Sequence, residues 1–370
     1  MIIAIDAVGA KYGGAATVLK AVVKSALSCR DVDRLVVYTS PRVKRSFTLP
    51  TSSRLLEVEV PYAEKGALGR LHWHWVGLAS RLKRERARSV LCLSGAGVTR
   101  GACPAALFIQ QSLPFVPEGL AALPMAARAR INAIGLNMRL STRHADVVMV
   151  QTETMAAAVR HKFHLRGSGV RVMGAASTLQ DRSHRVEALS TLRKASRPLL
   201  YVGNTSPHKN LGVLADGMRL LRQSLGDVTL FATIPPDHFL TGVPGVFALP
   251  PLDAGALFEA YSLAAAVVLP SLAETVGLPL LEAASVGTPA IVADRPYARE
   301  VCADGAMFFD PRHADDFARK AMALITDAGA RSSLGRRAHE NAARRSEVRP
   351  YDAMIGVVME LARSRGRDPK

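Results

Sequence analysis

The chain has 370 residues, 49% of them hydrophobic and 21% charged, a composition typical of globular proteins that excludes a largely disordered or fibrous chain. Because a single hydrophobic core stops growing near roughly 250 to 300 residues, two domains are expected. The formal net charge is +17, of which residues 1–180 carry +15 and residues 181–370 carry +2, so the first half is expected to attract polyanions, unless the excess reflects a generally Arg-rich proteome.

The N-terminal stretch MIIAIDAVGAKYGG lacks a basic leader region and carries Asp6 inside its apolar run, so it is a poor signal peptide. No stretch approaches the roughly 18 consecutive apolar residues of a membrane span. The four cysteines are scattered, without the short spacing of a metal knuckle or a redox pair. These features predict a cytoplasmic protein, with peripheral association at the inner face of the cytoplasmic membrane as a further option.

Short apolar runs, often β-branched, recur in both halves and alternate with stretches that have helical spacing of apolar residues. The first half contains IIAID at residue 2, RLVVYT at 34, LLEVEV at 55, SVLCLSG at 89, AALFIQ at 105, DVVMVQT at 146 and VRVMG at 170. The second half contains PLLYVG at 198, VTLFATI at 228, VFALP at 246, AAAVVLP at 264, PAIVAD at 289 and AMFFD at 306. Runs without strict alternation are typical of strands covered on both faces. The pattern therefore predicts an α/β protein with two doubly wound parallel sheets.

The polar, basic segment STLQDRSHRVEALSTLRKASRP separates the two series of strands, and we place the domain boundary near residue 185. The expected domains are residues 1–185 and 186–350, followed by a C-terminal helix within residues 351–370. In open α/β sheets, ligands bind beyond the carboxyl ends of the strands. The site is therefore expected in a cleft, on loops that follow strands in both domains.

Two of these loops could bind phosphate. Gly9, Gly13 and Gly14 lie between the first strand and a helix, where a free helix N-terminus can bind an anion. The spacing matches neither the dinucleotide fingerprint nor the P-loop, and a tight packing turn explains these glycines equally well. In the second loop a strand ends at Gly203, and Lys209 precedes the next helix, where its ammonium could reach a diphosphate or simply be solvated.

The third loop, in PSLAETVGLPLLEAASVGTPAIV at residues 270–292, carries two glutamates eight positions apart. Glu274 precedes a helix that is expected to begin near Gly277, and Glu282 lies inside that helix. Two carboxylates can each accept hydrogen bonds from a pair of hydroxyls, and the backbone N–H groups of residues 275–278 between them can bind a diphosphate. A nucleotide sugar presents a hexose and a ribose on either side of a diphosphate, so this spacing favours such a ligand.

This segment is similar to the E-x7-E motif of retaining glycosyltransferases of family 4, which have the GT-B fold of two facing Rossmann-like domains with a cleft between them. The stretches YVGN…PHKN, LFEAYSLAAAVVLPSLAETVGLPLLEAASVGTPAIVADRPYAREV and AMFFDP occur in the family's order across nearly all of the second half. In the first half, GGAATVL and QQSLPF resemble features of bacterial polysaccharide and O-antigen mannosyltransferases. The resemblance implies an acceptor-side domain at 1–185, a nucleotide-sugar-binding domain at 186–350 and a C-terminal helix that packs back on the first domain.

The resemblance also implies roles for single residues. Glu274 would bind the hydroxyls of the donor sugar, Glu282 those of the ribose, and Lys209 would neutralise the diphosphate leaving group, making Glu274 and Lys209 the catalytic pair. The other implied donor contacts are Gly13, Gly14, Gly203, Asn204, Thr275, Val276, Gly277 and Leu278, and Glu300 matches a recurrent glutamate of unclear role. No metal and no cofactor is implied. GDP-mannose is the favoured donor, and the acceptor would be a growing surface glycan or a lipid-linked glycan.

Two departures from the family pattern bear on the chemistry. Asn204 stands where many relatives have an arginine, and Gln110 and Gln111 stand near the position of a histidine that many relatives place beside the reacting sugar. Either glutamine could hydrogen-bond the sugar, but neither can act as a base. Retaining members are thought to use an oxygen of the leaving phosphate to take the acceptor proton, so the missing base is compatible with transfer.

A basic segment, LHWHWVGLASRLKRERARS, allows three interpretations. His72 and His74 could be metal ligands, although no further ligand is nearby. Trp73 and Trp75 with the following arginines could anchor a basic helix on an anionic membrane. The helix could also simply be packed with a solvated face. The same choice applies to the basic residues of a later segment, Arg128, Arg130, Arg139 and Arg143.

Other functions remain as alternatives to transfer. A catalytically degenerate GT-B scaffold or binding protein is compatible with the departures at Asn204, Gln110 and Gln111. A nucleotide-sugar epimerase is disfavoured because no obvious acid and base flank the sugar site. Nucleic-acid binding is disfavoured because aromatic residues are only 5% of the chain and no RNA-recognition or helix-turn-helix signature occurs.

Overall fold

The computed structural model describes residues 1–11, 13–165, 169–179 and 186–364. Its contacts divide the chain into two compact units. Unit 1 comprises Met1–Phe115, Ala126–Ala175 and Val348–Lys370, and unit 2 comprises Val116–Met125 and Ala176–Glu347. The long segment of unit 2 begins at Ala176, whereas the expected domain boundary was near residue 185. Residue 185 itself lies outside the described residues. Unit 2 also includes a short segment, Val116–Met125, taken from the middle of the first half.

Each of the thirteen predicted apolar runs forms a strand, and every pairing between them is parallel. The strands are β1 Ile2–Asp6, β2 Arg34–Thr39, β3 Leu55–Glu59, β4 Ser89–Cys92, β5 Ala105–Phe108, β6 Val147–Val150, β7 Val170–Val172, β8 Pro198–Tyr201, β9 Thr229–Ala232, β10 Val246–Ala248, β11 Ala266–Leu269, β12 Ala290–Ala293 and β13 Ala306–Phe309. The predicted fold class, two Rossmann-like α/β domains with parallel sheets, is therefore confirmed.

Helices follow most of the strands, as the parallel connections require. They are α1 Gly14–Ser28, α2 Pro41–Ser46, α3 Gly66–His72, α4 Leu78–Arg84, α5 Pro117–Ala121, α6 Met125–Thr142, α7 Glu153–Phe163, α8 Ser190–Lys194, α9 Leu211–Leu225, α10 Ala254–Leu263, α11 Leu278–Ser285, α12 Pro296–Cys302, α13 Ala314–Thr326, α14 Ala328–Glu347 and α15 Pro350–Ser364. None of the described helices is both long and apolar enough to cross a bilayer.

The described residues of unit 1 form a seven-stranded sheet in the order β3-β2-β1-β4-β5-β6-β7. One face is covered by α1 together with α15, whose residues Met354, Ile355 and Val358 are buried in the same cluster as Ile3 and Leu19. The last helix of the chain therefore completes the core of unit 1. Side-chain hydrogen bonds fix it there: Ser89 Oγ donates to the carbonyl of Val358 at 2.8 Å, and Ser25 Oγ donates to a carboxylate oxygen of Asp352.

The other face of this sheet is covered by the segment that contains both tryptophans. Trp73 is fully buried, and its indole Nε1 donates to Oδ1 of Asp6 at 3.0 Å. Trp75 is partly buried, and its Nε1 donates to Oδ1 of Asn137 at 2.9 Å. The interpretation of Trp73 as a membrane anchor is therefore wrong, because the ring packs in the core and its one polar atom is satisfied by a buried carboxylate.

Asp6 and His74 form a buried pair of titratable groups in unit 1. Burial raises the pKa of Asp6 from 3.8 to about 7, opposed by the Trp73 hydrogen bond, and lowers the pKa of His74 from 6.5 to about 4, with help from Arg70. Oδ2 of Asp6 lies 3.9 Å from Nε2 of His74. Both residues are therefore mainly uncharged near pH 6, which is how a protein interior accommodates such groups without ions.

Asp6→Asn is expected to make the stability of unit 1 less sensitive to a rise in pH from about 4 to 7. Because the folded-state pKa of Asp6 lies above its unfolded value, the folded state holds a proton that the unfolded state releases, and unfolding becomes easier as pH rises from about 4 to 7. Asparagine can still accept the Trp73 hydrogen bond but cannot ionise. Between pH 5 and pH 8 the free energy of unfolding of the unmodified chain should therefore fall by roughly 2 to 3 kcal/mol more than that of the variant.

Urea unfolding followed by tryptophan fluorescence measures this effect selectively, since Trp73 and Trp75 are the two tryptophans of the chain and both belong to unit 1. The exposed Asp237→Asn, in unit 2, serves as the charge-matched control and should leave the pH dependence unchanged. Parallel pH curves for Asp6→Asn and the unmodified chain would contradict the assignment.

The described residues of unit 2 form a six-stranded sheet in the order β10-β9-β8-β11-β12-β13. Strands β8, β11 and β12 are buried along their whole length, and they are neighbours in the middle of the sheet. The loops that follow these strands therefore meet at one edge, the carboxyl edge, which is where the sequence places Lys209 and Glu274.

Candidate functional site

The loop between β11 and α11 carries the two glutamates. Gly277 is the N-cap of α11, with a φ of 74°, in the left-handed region that favours glycine. A Cβ at this position would lie 3.0 Å from Cδ2 of Leu269, so a larger residue would be both strained and crowded. The helix begins at Leu278, as expected, and this turn places Glu274 in the loop and Glu282 inside the helix.

Glu274 and Lys209 are brought together from two neighbouring loops. The Lys209 ammonium donates to Oε1 of Glu274 at 2.5 Å, and the two side chains are only 12% and 16% exposed. Each ion thus loses much of its hydration and depends on the other for compensation. The sequence analysis gave Lys209 and Glu274 roles in binding the same donor but did not predict that the two side chains contact each other.

The backbone holds the two loops in register. The Leu272 amide donates to the carbonyl of His208 at 2.8 Å, which ties the β11 loop to the short 3-10 helix Pro207–Lys209. Asn210 then takes a left-handed conformation, with a φ of 56°, and its side-chain amide donates to the carbonyl of Pro311 at 2.8 Å. Lys209 is therefore fixed by contacts on both sides, which limits the positions of its ammonium group.

Glu282 is buried and belongs to a second polar contact. The hydroxyl of Tyr261 donates to its Oε2 at 2.7 Å, and Tyr261 is itself fully buried. Burial raises the pKa of Glu282, and the Tyr261 hydrogen bond lowers it in part. A neighbouring contact holds the backbone of this tyrosine, since Oγ1 of Thr288 donates to the main-chain carbonyl of Tyr261 at 2.7 Å. The carboxylate is thereby oriented by a rigid partner.

The loop after β8 is organised around Gly203 and Asn204. The hydroxyl of Tyr201 donates to the carbonyl of Asn204 at 2.6 Å and occupies the space where a Cβ on Gly203 would lie, at 2.6 Å. Asn204 Oδ1 accepts from the Ser206 amide at 3.0 Å, a local turn that asparagine favours. Asn204 therefore shapes the loop with its side chain instead of supplying a positive charge.

The other predicted site residues are divided between the two units. Gly13, Gly14, Gln110 and Gln111 belong to unit 1, and Gln110 Nε2 donates to the carbonyl of Leu93 at 2.9 Å. The remaining predicted donor contacts, Thr275, Val276, Gly277 and Leu278, follow Glu274 directly in unit 2, and Glu300 lies in α12.

Two contacts at this edge had no signal in the sequence. Tyr261 precedes Glu282 by 21 residues on a different helix, and nothing in its surroundings distinguishes it from a core tyrosine. Arg295, after β12, donates to Oε1 of Glu118 at 2.5 Å, so α5 from the first half of the chain is held against the loops of unit 2. Only the folded chain reveals these partners.

Within the described residues, no three His, Cys, Asp or Glu side chains cluster closely enough to hold a metal ion. His74 is buried beside Asp6, and the ring of His72 packs against Tyr62 with centroids 5.6 Å apart. The two histidines considered as metal ligands thus have separate surroundings.

A family comparison supports the motif of the second half. Residues 244–341 match the model of the family described as glycosyl transferases group 1. This range contains both glutamates, Tyr261 and the helix α11 between its strands. The match is thus centred on the β11–α11 region and does not extend to the first half.

Two curated relatives each match less than half of the chain. A D-inositol 3-phosphate glycosyltransferase from Kribbella flavida is 36% identical over 94 residues, which is 25% of this chain and 22% of the relative. The sulfoquinovosyl transferase SQD2 of Arabidopsis thaliana is 28% identical over 166 residues, which is 42% of this chain and 31% of the relative. The matched part thus spans less than a third of either relative.

Solved structures match nearly the whole chain. A sucrose-phosphate synthase from Thermosynechococcus elongatus superposes with a TM-score of 0.76 at 15% identity, over 97% of this chain and 98% of its own. WaaG, a glycosyltransferase involved in lipopolysaccharide biosynthesis, gives 0.75 at 16% identity, over 97% and 99%. Anabaena Alr3699/HepE in complex with UDP-glucose gives 0.71 at 16% identity, also over 97% and 99%. The fold is therefore that of GT-B proteins, and the match to glycosyl transferases group 1 lies within unit 2.

Proposed function

We propose that this protein is a retaining glycosyltransferase of family 4 that transfers a hexosyl unit from a nucleotide sugar to a growing surface glycan. The contact between Lys209 and Glu274 at the carboxyl edge of unit 2 supports this proposal most directly. A partly buried ammonium–carboxylate pair can separate when a donor enters, because the diphosphate offers the ammonium a stronger partner and the sugar hydroxyls offer donors to the carboxylate. GDP-mannose is the proposed donor.

Transfer would proceed on one face of the sugar. The acceptor hydroxyl oxygen forms a bond to C1 while the bond from C1 to the phosphate oxygen breaks, and that phosphate oxygen takes the acceptor proton. Lys209 would stabilise the charge that develops on the diphosphate. Gln110 and Gln111 are consistent with this route, since it requires no protein base. The reaction is proposed to be independent of metal, which activity in excess EDTA would test.

The decisive experiment measures release of nucleoside diphosphate from UDP-, GDP- and ADP-sugars, with and without surface-glycan acceptors. Turnover is expected with one donor class, GDP-mannose first, and the product anomer observed by NMR should keep the donor's configuration. Because HepE was solved with UDP-glucose, that donor is the matched comparison. Binding of a nucleoside diphosphate without any turnover would instead indicate a degenerate scaffold.

The acceptor is proposed to be attached to lipid, with unit 1 resting on an anionic membrane. Residues 65–84 and 126–145 of unit 1 contain no Asp or Glu, and they expose Leu68 (81%), Val76 (46%) and Leu136 (57%). Trp75 connects the two segments, since its ring meets that of His144 with centroids 6.0 Å apart and its Nε1 bonds Asn137. A basic surface with protruding aliphatic side chains fits anionic headgroups.

Flotation with vesicles of phosphatidylcholine, with and without phosphatidylglycerol, tests membrane association. Binding is expected only with the anionic lipid, and the double variant Arg130→Glu/Arg139→Glu should weaken it at least roughly tenfold, since each basic residue near such a surface contributes about 1 kcal/mol. The control Arg219→Glu changes an exposed arginine of unit 2 and should bind normally. Equal binding by all variants would remove this part of the proposal.

A further inference from the structure

A buried tyrosine of unit 2, Tyr297, contacts the loop that carries Glu274. Tyr297 lies in the first turn of α12, the helix that follows β12, and is only 3% exposed. Its hydroxyl donates to the main-chain carbonyl of Ser271 at 3.0 Å. Ser271 lies in the loop between β11 and α11, one helical turn's length of chain before Glu274. The phenol therefore reaches from one loop of the carboxyl edge to the next.

The order of the strands explains this contact. β11 pairs in parallel with β12 on one side and with β8 on the other, so the loops after these three strands leave the sheet side by side. The loop with Glu274 is the middle one. On the β8 side it is joined to the Lys209 loop through the amide of Leu272, and on the β12 side it is joined to α12 through Tyr297. The loop is thus held from both sides.

The backbone of this loop is packed where bulk water cannot replace a lost hydrogen-bond donor. Ser271 is fully buried, and Ala273 and Val276, which flank Glu274, are each only 1% exposed. A buried carbonyl that loses a donor carries an energetic cost, and the backbone around it shifts to find another partner. The hydroxyl of Tyr297 therefore helps to decide where this part of the loop lies.

The phenol stays a hydrogen-bond donor at every pH at which the protein is folded and active. Burial first, and the charge of Glu274 next, raise the pKa of Tyr297 well above its usual range, although Arg295 and the bond to Ser271 oppose the shift. A protonated phenol fixed in a packed core donates one hydrogen bond in one direction. The contact with Ser271 is therefore a constant feature of the loop and not a titrating one.

We propose that Tyr297 is a positioning residue for sugar transfer, which holds the carbonyl of Ser271 and thereby the orientation of Glu274 toward the hexose of the donor. This inference rests on the proposed function, because it takes Glu274 as the residue that binds the sugar hydroxyls. The phenol acts through the loop backbone and not by contact with the donor. Such an indirect role can be large, since misplacing a group by about 1 Å can cost about 10² in rate.

The test is isothermal titration of the full chain with two matched pairs of ligands, GDP-mannose with GDP and UDP-glucose with UDP. Tyr297→Phe keeps the ring and removes only the hydroxyl. Its affinity for the nucleotide sugar should fall roughly tenfold, the scale for a buried acceptor that loses its donor, while its affinity for the free nucleoside diphosphate, which has no hexose, stays unchanged. Tyr38→Phe in unit 1 is the matched control and should change neither affinity, because that phenol is also buried but has no hydrogen-bond partner among the described residues.

A double variant separates positioning from general support of the fold. Tyr297→Phe/Glu274→Gln should bind the nucleotide sugar no more weakly than Glu274→Gln alone, because the phenol acts through that carboxylate. Normal nucleotide-sugar binding by Tyr297→Phe, an equal loss for the free nucleoside diphosphate, or additive losses in the double variant would overturn the inference while leaving the proposed function in place. If the unmodified chain binds none of the four ligands, the proposed function fails and this inference falls with it.

Discussion

Lys209→Met is expected to lower the turnover number for the transferred sugar by about 10² to 10³, the scale observed when a group that stabilises developing negative charge is removed. Methionine keeps the length and packing of the side chain but removes the ammonium that now contacts Glu274 at 2.5 Å. Because the charge on the leaving diphosphate grows as the bond to C1 breaks, the loss should fall mainly on kcat and less on KM. Initial rates of nucleoside diphosphate release over a range of donor concentrations measure both constants.

The control and the partner variant make this result interpretable. Lys194→Met removes an exposed lysine from α8 in the same unit and should leave both constants unchanged. Glu274→Gln should also reduce transfer, and the double variant should lose less than the product of the two single losses, because the residues contact each other. Full additivity, or a Lys209→Met enzyme with normal kcat, would mean that the ion pair only supports the loop.

Much of the fold could be predicted because strands in a doubly wound sheet carry their signal locally. Runs such as AAAVVLP at 264 and PAIVA at 289 are apolar throughout, and the strands that they form are buried along their whole length. The turn at Gly277 was equally readable, since a glycine before a helix start favours a left-handed residue. The position of Glu274 before α11 and Glu282 within it follows from these local facts.

The partners of these residues could not be predicted, because they depend on which elements pack together. Trp73 follows a helical pattern that suits either a membrane face or a core, and only its contact with Asp6 decides for the core. The short helix Pro117–Ala121 reads as part of the first half but belongs to unit 2, where Glu118 meets Arg295. Asn204 departs from the family pattern in sequence, yet its turn with Ser206 gives it a structural role.

The second large effect is expected on donor affinity, when Glu282, which is hydrogen-bonded to Tyr261, is replaced. Glu282→Gln is expected to weaken nucleotide binding by roughly 10- to 150-fold, which corresponds to the 1.5 to 3 kcal/mol of a hydrogen bond to a charged group. Glutamine can still accept from Tyr261 with its carbonyl, so the fold should be kept. It cannot offer a charged acceptor to the ribose hydroxyls that this residue is proposed to bind.

The ligand used for titration distinguishes Glu282 from Glu274. A free nucleoside diphosphate contains the ribose but not the hexose, so Glu282→Gln should weaken its binding as much as that of the nucleotide sugar, whereas Glu274→Gln should weaken only the sugar-bearing ligand. Tyr261→Phe removes the phenolic donor at 2.7 Å and should cause a smaller loss in the same direction as Glu282→Gln. Glu340→Gln, on the exposed face of α14, is the charge-matched control. If Glu282→Gln bound the free nucleoside diphosphate normally, the carboxylate would serve Tyr261 and the core alone, and the ribose would have to be held by other groups of unit 2.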